Sequence, residues 1–161
     1  MFRAKVVCAV AGLMALAVAS DAQVAVKHLQ TERAAIASAV WAGDTLYVSG
    51  QLATPITPAT NGAPAVYGDT KTQSLSALQK IETILKEQGL GMKDVVMMHV
   101  FMAGDPANGG KLDFAGMMAS YTQFFGTKEQ PNKPARSAMQ VAALASPGAL
   151  VEIEVIAVKS K

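Results

Sequence analysis

The chain has 161 residues, with 14 Lys and Arg against 12 Asp and Glu, and 51% of its residues are hydrophobic. Its near-balanced, scattered charge offers no clustered basic face, which argues against a nucleic-acid partner. Its one cysteine excludes an internal disulfide framework.

The chain opens with the basic stretch MFRAK, followed by the fourteen-residue apolar run VVCAVAGLMALAVA and then Ser-Asp-Ala. The run is too short to span a bilayer, and small residues Ser20 and Ala22 precede Gln23, which is the pattern of a secretory signal peptide over residues 1–22. Val7 precedes Cys8, so a lipoprotein signal is not indicated. Removing these 22 residues leaves 139, enough for one domain with a core, and the only cysteine goes with them. The mature chain then holds no thiolate nucleophile or thiolate metal ligand. It is expected to be periplasmic or secreted, with no membrane attachment after cleavage.

In chain order, AAIASAVWAGDTLYVSGQL reads as two strands meeting at Ala42-Gly43-Asp44, the second ending at Ser49-Gly50-Gln51. ATPITPATNGAPAVYG has turn formers and no periodicity, which marks a long ordered loop. Leu75, Leu78, Ile81 and Leu85 at helical spacing predict a helix, with Thr70 and Gln73 as a capping box and Gly89 as its C-cap. DVVMMHVFMA is continuously apolar, as in a strand covered on both faces, the second cover being a candidate for another subunit. GDPANGGK is a solvated turn, and LDFAGMMASYTQFFG is a helix with Phe114, Met117, Tyr121 and Phe124 on one stripe. ARSAMQVAAL and VEIEVIAV are the last strands, with Ser146-Pro147-Gly148 between them. The order β-β-α-β-α-β-β defines a single α+β domain over residues 23–161 with two helices on one sheet.

Most catalytic inventories fail. His28 and His99 are the only histidines and neither lies at metal-ligand spacing; mid-strand His99 reads as a satisfied core or interface residue. Gly104 is one place too early for a phosphate loop ending at Lys111, and no Ser or Thr follows that lysine. Gly89-Leu90-Gly91 lacks the third glycine of a dinucleotide fingerprint, and VSGQ has no nucleophile elbow. No cofactor or metal is expected, and the methionines read as core filler.

Polar residues at strand ends remain: Ser49, Gly50, Arg136, Ser137 and Glu152. A guanidinium is a planar fork that grips a carboxylate through two parallel hydrogen bonds. Arg136 either serves that purpose or pairs with Glu152 or Glu154, which alternation places on the same face as Ile156.

The segments LYVSGQL, FAGMMASYTQFFG, PARSAMQVAAL and VEIEVIAV together resemble the Rid (YjgF) family of reactive-intermediate deaminases. The resemblance implies a chorismate-mutase-like single mixed sheet with two helices on one face, assembled as a homotrimer with clefts between subunits. It also implies cofactor-free hydrolysis of 2-imino acids and enamines to 2-oxo acids and ammonia. By motif position, Arg136 would hold the substrate carboxylate, Glu152 would position water with Ser49 as the second catalytic residue, and Gly50 and Ser137 would help bind the substrate. Where the family usually carries tyrosine, asparagine and cysteine, this chain has Ile36, Met118 and Ala138. Those apolar replacements imply a pocket for a larger hydrophobic acid, or a carboxylate-binding or structural trimer that has lost efficient turnover. The ribonuclease activity also associated with the family sits poorly with the balanced charge.

Export is checked by N-terminal sequencing of the protein from fractionated cells: the expected chain begins at Gln23 outside the cytoplasm. An intact Met1 chain in the cytoplasm contradicts it.

Overall fold

The computed structural model describes residues 23–160, so the signal segment expected over residues 1–22 lies outside the described residues. Strands β1 (Val26–Leu29), β2 (Ala39–Ala42), β3 (Thr45–Leu52), β4 (Val95–Met102), β5 (Ala135–Gln140) and β6 (Val151–Val158) accompany helices α1 (Thr70–Glu87) and α2 (Phe114–Tyr121). The strands form one mixed sheet in the order β1-β2-β3-β6-β4-β5. Among the described residues, no helix is long and apolar enough to cross a membrane.

β1 is a strand the sequence pattern misses. Three of its four residues are exposed, and it pairs through its backbone with β2 at the edge of the sheet, so no buried side chain signals it. The two-residue connection from β2 to β3 places Gly43 at φ 60, a left-handed conformation that glycine adopts without steric cost. β5 and β6 are not neighbours: β4 lies between them, antiparallel to β6 and parallel to β5. A parallel pair needs a crossover, and α2 supplies it.

Burial in β6 alternates strictly. Val151, Ile153, Val155 and Ala157 are buried, while Glu152, Glu154, Ile156 and Val158 are half-buried. The buried set meets Leu46 and Val48 of β3 and Met98, Val100 and Met102 of β4 under the two helices, which contribute Ala77, Leu78, Ile81, Leu85 and Met117. Each Val, Leu, Ile or Met side chain among them contributes roughly 1.5–3 kcal/mol when fully removed from water. The opposite face carries Tyr47, Met97, His99, Phe101, Glu152, Glu154 and Ile156, and no element among the described residues covers it. There His99 Nδ1 lies 2.9 Å from Glu154 Oε1, so the histidine has a carboxylate partner on the open face.

α1 starts one residue earlier than a Thr70–Gln73 capping box requires. Asp69 is the N-cap and accepts from the Thr72 amide at 2.7 Å, and the hydrogen bonds from Thr72 hold its carboxyl below the ordinary value. Gln73 is freed for another task. Wholly buried, it donates to the Gly68 and Gly148 carbonyls and accepts from the Leu150 amide, tying the long loop, α1 and the start of β6 together. At the far end Gly89, at φ 73, and Leu90 donate back to Lys86 and Leu85 in a Schellman closure. In α2 the buried stripe is Met117, Ser120, Tyr121 and then Phe125, whereas Phe114 is exposed.

Gln73→Leu keeps the volume but orphans two carbonyls and one amide, so a loss of about 3 kcal/mol in chemical denaturation is expected. A loss below about 1 kcal/mol contradicts this role for Gln73.

Candidate functional site

Arg136 stands on β5 opposite Met98 of β4, on the helix-covered side of the sheet at its edge. Its guanidinium carbon lies 4.4 Å from the centre of the Tyr121 ring and 5.6 Å from that of Phe114. One amino group donates to Met118 Sδ at 3.1 Å, with Met117 Sδ at 3.9 Å. The ion pairs among the described residues are Lys86–Glu82 and His99–Glu154, so pairing of Arg136 with Glu152 or Glu154 does not occur within the chain. An aromatic and thioether bed holds a cation but does not neutralise it. The charge therefore stays available to an anion.

Tyr121 and Met118 of that bed, with Phe125 and the guanidinium, line a cavity of about 480 Å³ between α2 and β5, with Pro134, Lys133 and Gly126 at its rim. Burial pushes the Tyr121 phenol above its ordinary value, and the adjacent Arg136 charge only partly opposes that, so the ring stays neutral near pH 7. Tyr121 reads in sequence as one more member of an apolar stripe. That stripe is correct for its ring but conceals that the same ring floors the cavity.

A second group of the expected residues gathers elsewhere. Ile36, Ser49 and Gly50 line a groove of about 540 Å³ together with Gln30, Thr31 and Gln51. Ile36 is 69% exposed, an unusual position for a large aliphatic side chain, and nothing among the described residues covers it. The Ser49 hydroxyl donates to the Ala37 carbonyl at 2.7 Å and fixes the segment carrying Ile36 beside β3. Glu152 belongs to this group. Its carboxylate lies so close to Gly50 that a methyl group there would push it aside, so glycine at this point leaves the carboxylate its place against β3.

The two groups do not meet within one chain. Glu152 pairs with Phe101 and Arg136 with Met98 across the same strand β4, so their Cα atoms are about 14 Å apart, and their side chains leave opposite faces of the sheet. Ser137 projects away from Arg136, at the register of His99, and is exposed. Ala138 shares the Arg136 face but does not line its cavity. Among the described residues, no cluster of three His, Cys, Asp or Glu could hold a metal ion.

This α+β arrangement, one six-stranded sheet with two helices on one face, is that of YjgF/Rid structures. Residues 23–159 match the family model described as Endoribonuclease L-PSP, and the chain belongs to that family, the YjgF/Rid family. A RutC family protein of Haemophilus influenzae is 36% identical over 135 residues, covering 82% of this chain and 95% of its own. The Escherichia coli K12 protein named "Putative reactive intermediate deaminase TdcF" is 36% identical over 118 residues, covering 73% of this chain and 81% of its own. The structure of E. coli TdcF with bound serine superposes with a TM-score of 0.63 at 32% identity, covering 83% of this chain and 99% of that one.

Proposed function

We propose that the protein is a cofactor-independent deaminase that hydrolyses 2-imino acids and their enamine tautomers at a cleft formed between two copies of the chain in a homotrimer. The observation that carries this reading is the unneutralised Arg136 guanidinium at a cavity, while Glu152 is held about 14 Å away on the other face. A second copy that brings its Glu152, Ser49 and Gly50 against the Arg136 edge supplies what one chain lacks. The uncovered sheet face, with Tyr47, Met97, Phe101 and Ile156, is a surface such an assembly would bury. Similarity to TdcF, solved with the amino acid serine bound, supports a small carboxylate as the ligand.

In the proposed reaction Arg136 holds the substrate carboxylate through its free N–H groups and fixes the imine carbon near Glu152 of the other copy. Glu152 orients a water and takes its proton as the oxygen adds to that carbon. Glu152 returns that proton to the nitrogen, and as the C–N bond breaks it takes the remaining hydroxyl proton, so the nitrogen leaves as ammonia, the hydroxyl becomes the carbonyl of a 2-oxo acid, and the proton passes from Glu152 to the ammonia. The protonated imine is electrophilic without further activation. Tyr121, kept neutral, contributes a stacking surface beneath the guanidinium and no charge.

Met118 supports a second reading, a carboxylate-binding protein with little turnover. Its thioether occupies one Arg136 amino group at 3.1 Å and offers reacting atoms no hydrogen-bond donor. Export is retained as part of both readings.

Imino acids generated in situ by an amino-acid oxidase separate the two. Wild type is expected to accelerate 2-oxo acid release, with Arg136→Ala and Glu152→Gln each lowering kcat/KM at least 100-fold, a loss of about 2.7 kcal/mol of transition-state stabilisation. No acceleration over several imino acids overturns the deaminase reading, and an unchanged Arg136→Ala rate overturns the assigned site.

A further inference from the structure

Arg136 is not the only cation at its cavity. Lys133, three residues earlier, lines the same wall, and no Asp or Glu lines it with them. Lys133 has no carboxylate within ion-pair distance among the described residues. Glu129, the nearest acid in sequence, instead faces a different groove with Glu82 and Lys93.

The local backbone is shaped to bring Lys133 there. Gly126 sits at φ 72, and a methyl group on it would collide with the Lys133 stem, so the lysine crosses the cavity rim over a residue that has no side chain. Pro134 follows directly, is buried, and biases Lys133 toward an extended backbone. Lys133 is exposed, and the end of its stem lies against Gly126 at the rim of the Arg136 cavity. Two cations at one cavity with no internal counter-charge repel each other until an anion arrives, and a ligand with two acidic groups relieves both.

We propose that Lys133 is a specificity-determining residue that selects ligands with a second carboxylate: Arg136 takes the carboxylate beside the imine or oxo carbon and Lys133 takes the distal one. The substrate class is then the imines of acidic amino acids. The inference rests on the site assigned above and not on its turnover. The forked guanidinium suits bidentate binding of the inner carboxylate, and the compact, mobile ammonium suits a distal group whose position varies with chain length.

Calorimetry with 2-oxoglutarate and 2-oxopentanoate, which share a carbon count and differ in the second carboxylate, tests this directly. Wild type is expected to bind 2-oxoglutarate at least tenfold more tightly, the preference shrinking as salt is raised. Lys133→Met is expected to bring the affinity ratio below twofold and Lys133→Arg to retain most of it. Equal affinities in wild type, or a preference that survives Lys133→Met, overturn the proposal. If neither 2-iminoglutarate nor any other imino acid is hydrolysed while the Lys133-dependent binding preference holds, the deaminase reading fails and the ligand assignment stands.

Discussion

The two-residue alternation of β6 is the constraint from which the rest follows. Val151, Ile153, Val155 and Ala157 must lie under the helices, because they supply the centre of the core. Glu152, Glu154 and Ile156 are consequently sent to the other face. A one-residue slip in register would bury two carboxylates under α1 and expose the core, so the placement of Glu152 is as firmly specified as the fold itself. Arg136, on an edge strand whose neighbour Met98 is buried, is committed to the helix side in the same way. One chain therefore holds a carboxylate and a guanidinium apart, each in good order and neither satisfied by the other.

Ordering those two groups depends on packing that does not involve ligand. Gln73 knots the loop, α1 and the start of β6, the strand that carries Glu152. α2 both closes the parallel β4–β5 pair and lays Tyr121 beneath the guanidinium. Aromatic and thioether groups support Arg136 while leaving its charge uncancelled, whereas an internal carboxylate would close the site with the chain's own atoms. The exposed aliphatic and aromatic side chains on the open face and at Ile36 are the surfaces the proposed assembly would bury.

Much of this was legible in the residues. Period-2 burial in VEIEVIAV, the helical spacing of Leu78, Ile81 and Leu85, and the glycine closing α1 each reflect a local rule that the tertiary structure does not override. The illegible parts have physical causes. β1 is held by backbone pairing at an edge, and backbone bonds leave no side-chain pattern. The capping-box pattern at Thr70 was outranked by Asp69, because Gln73 satisfies three backbone groups in the interior instead of one at the helix end. Phe114 fits the stripe by spacing but is the first residue of α2, exposed, with its ring beside the Arg136 guanidinium. Lys133 carries no motif at all, and its relation to Arg136 emerges only once Gly126 and Pro134 fold beside it.

Arg136 and Glu152 are proposed to act together only across two copies of the chain. The most direct measurement mixes Arg136→Ala and Glu152→Gln subunits, unfolds and refolds them together, and compares imine hydrolysis with that of each variant alone. If each cleft takes its arginine from one copy and its glutamate from another, mixed assemblies contain some clefts with both groups intact. Partial recovery of activity, well above the sum of the separate variants, is expected. Mixed assemblies, confirmed by native mass spectrometry, that remain as inactive as their parents would contradict it.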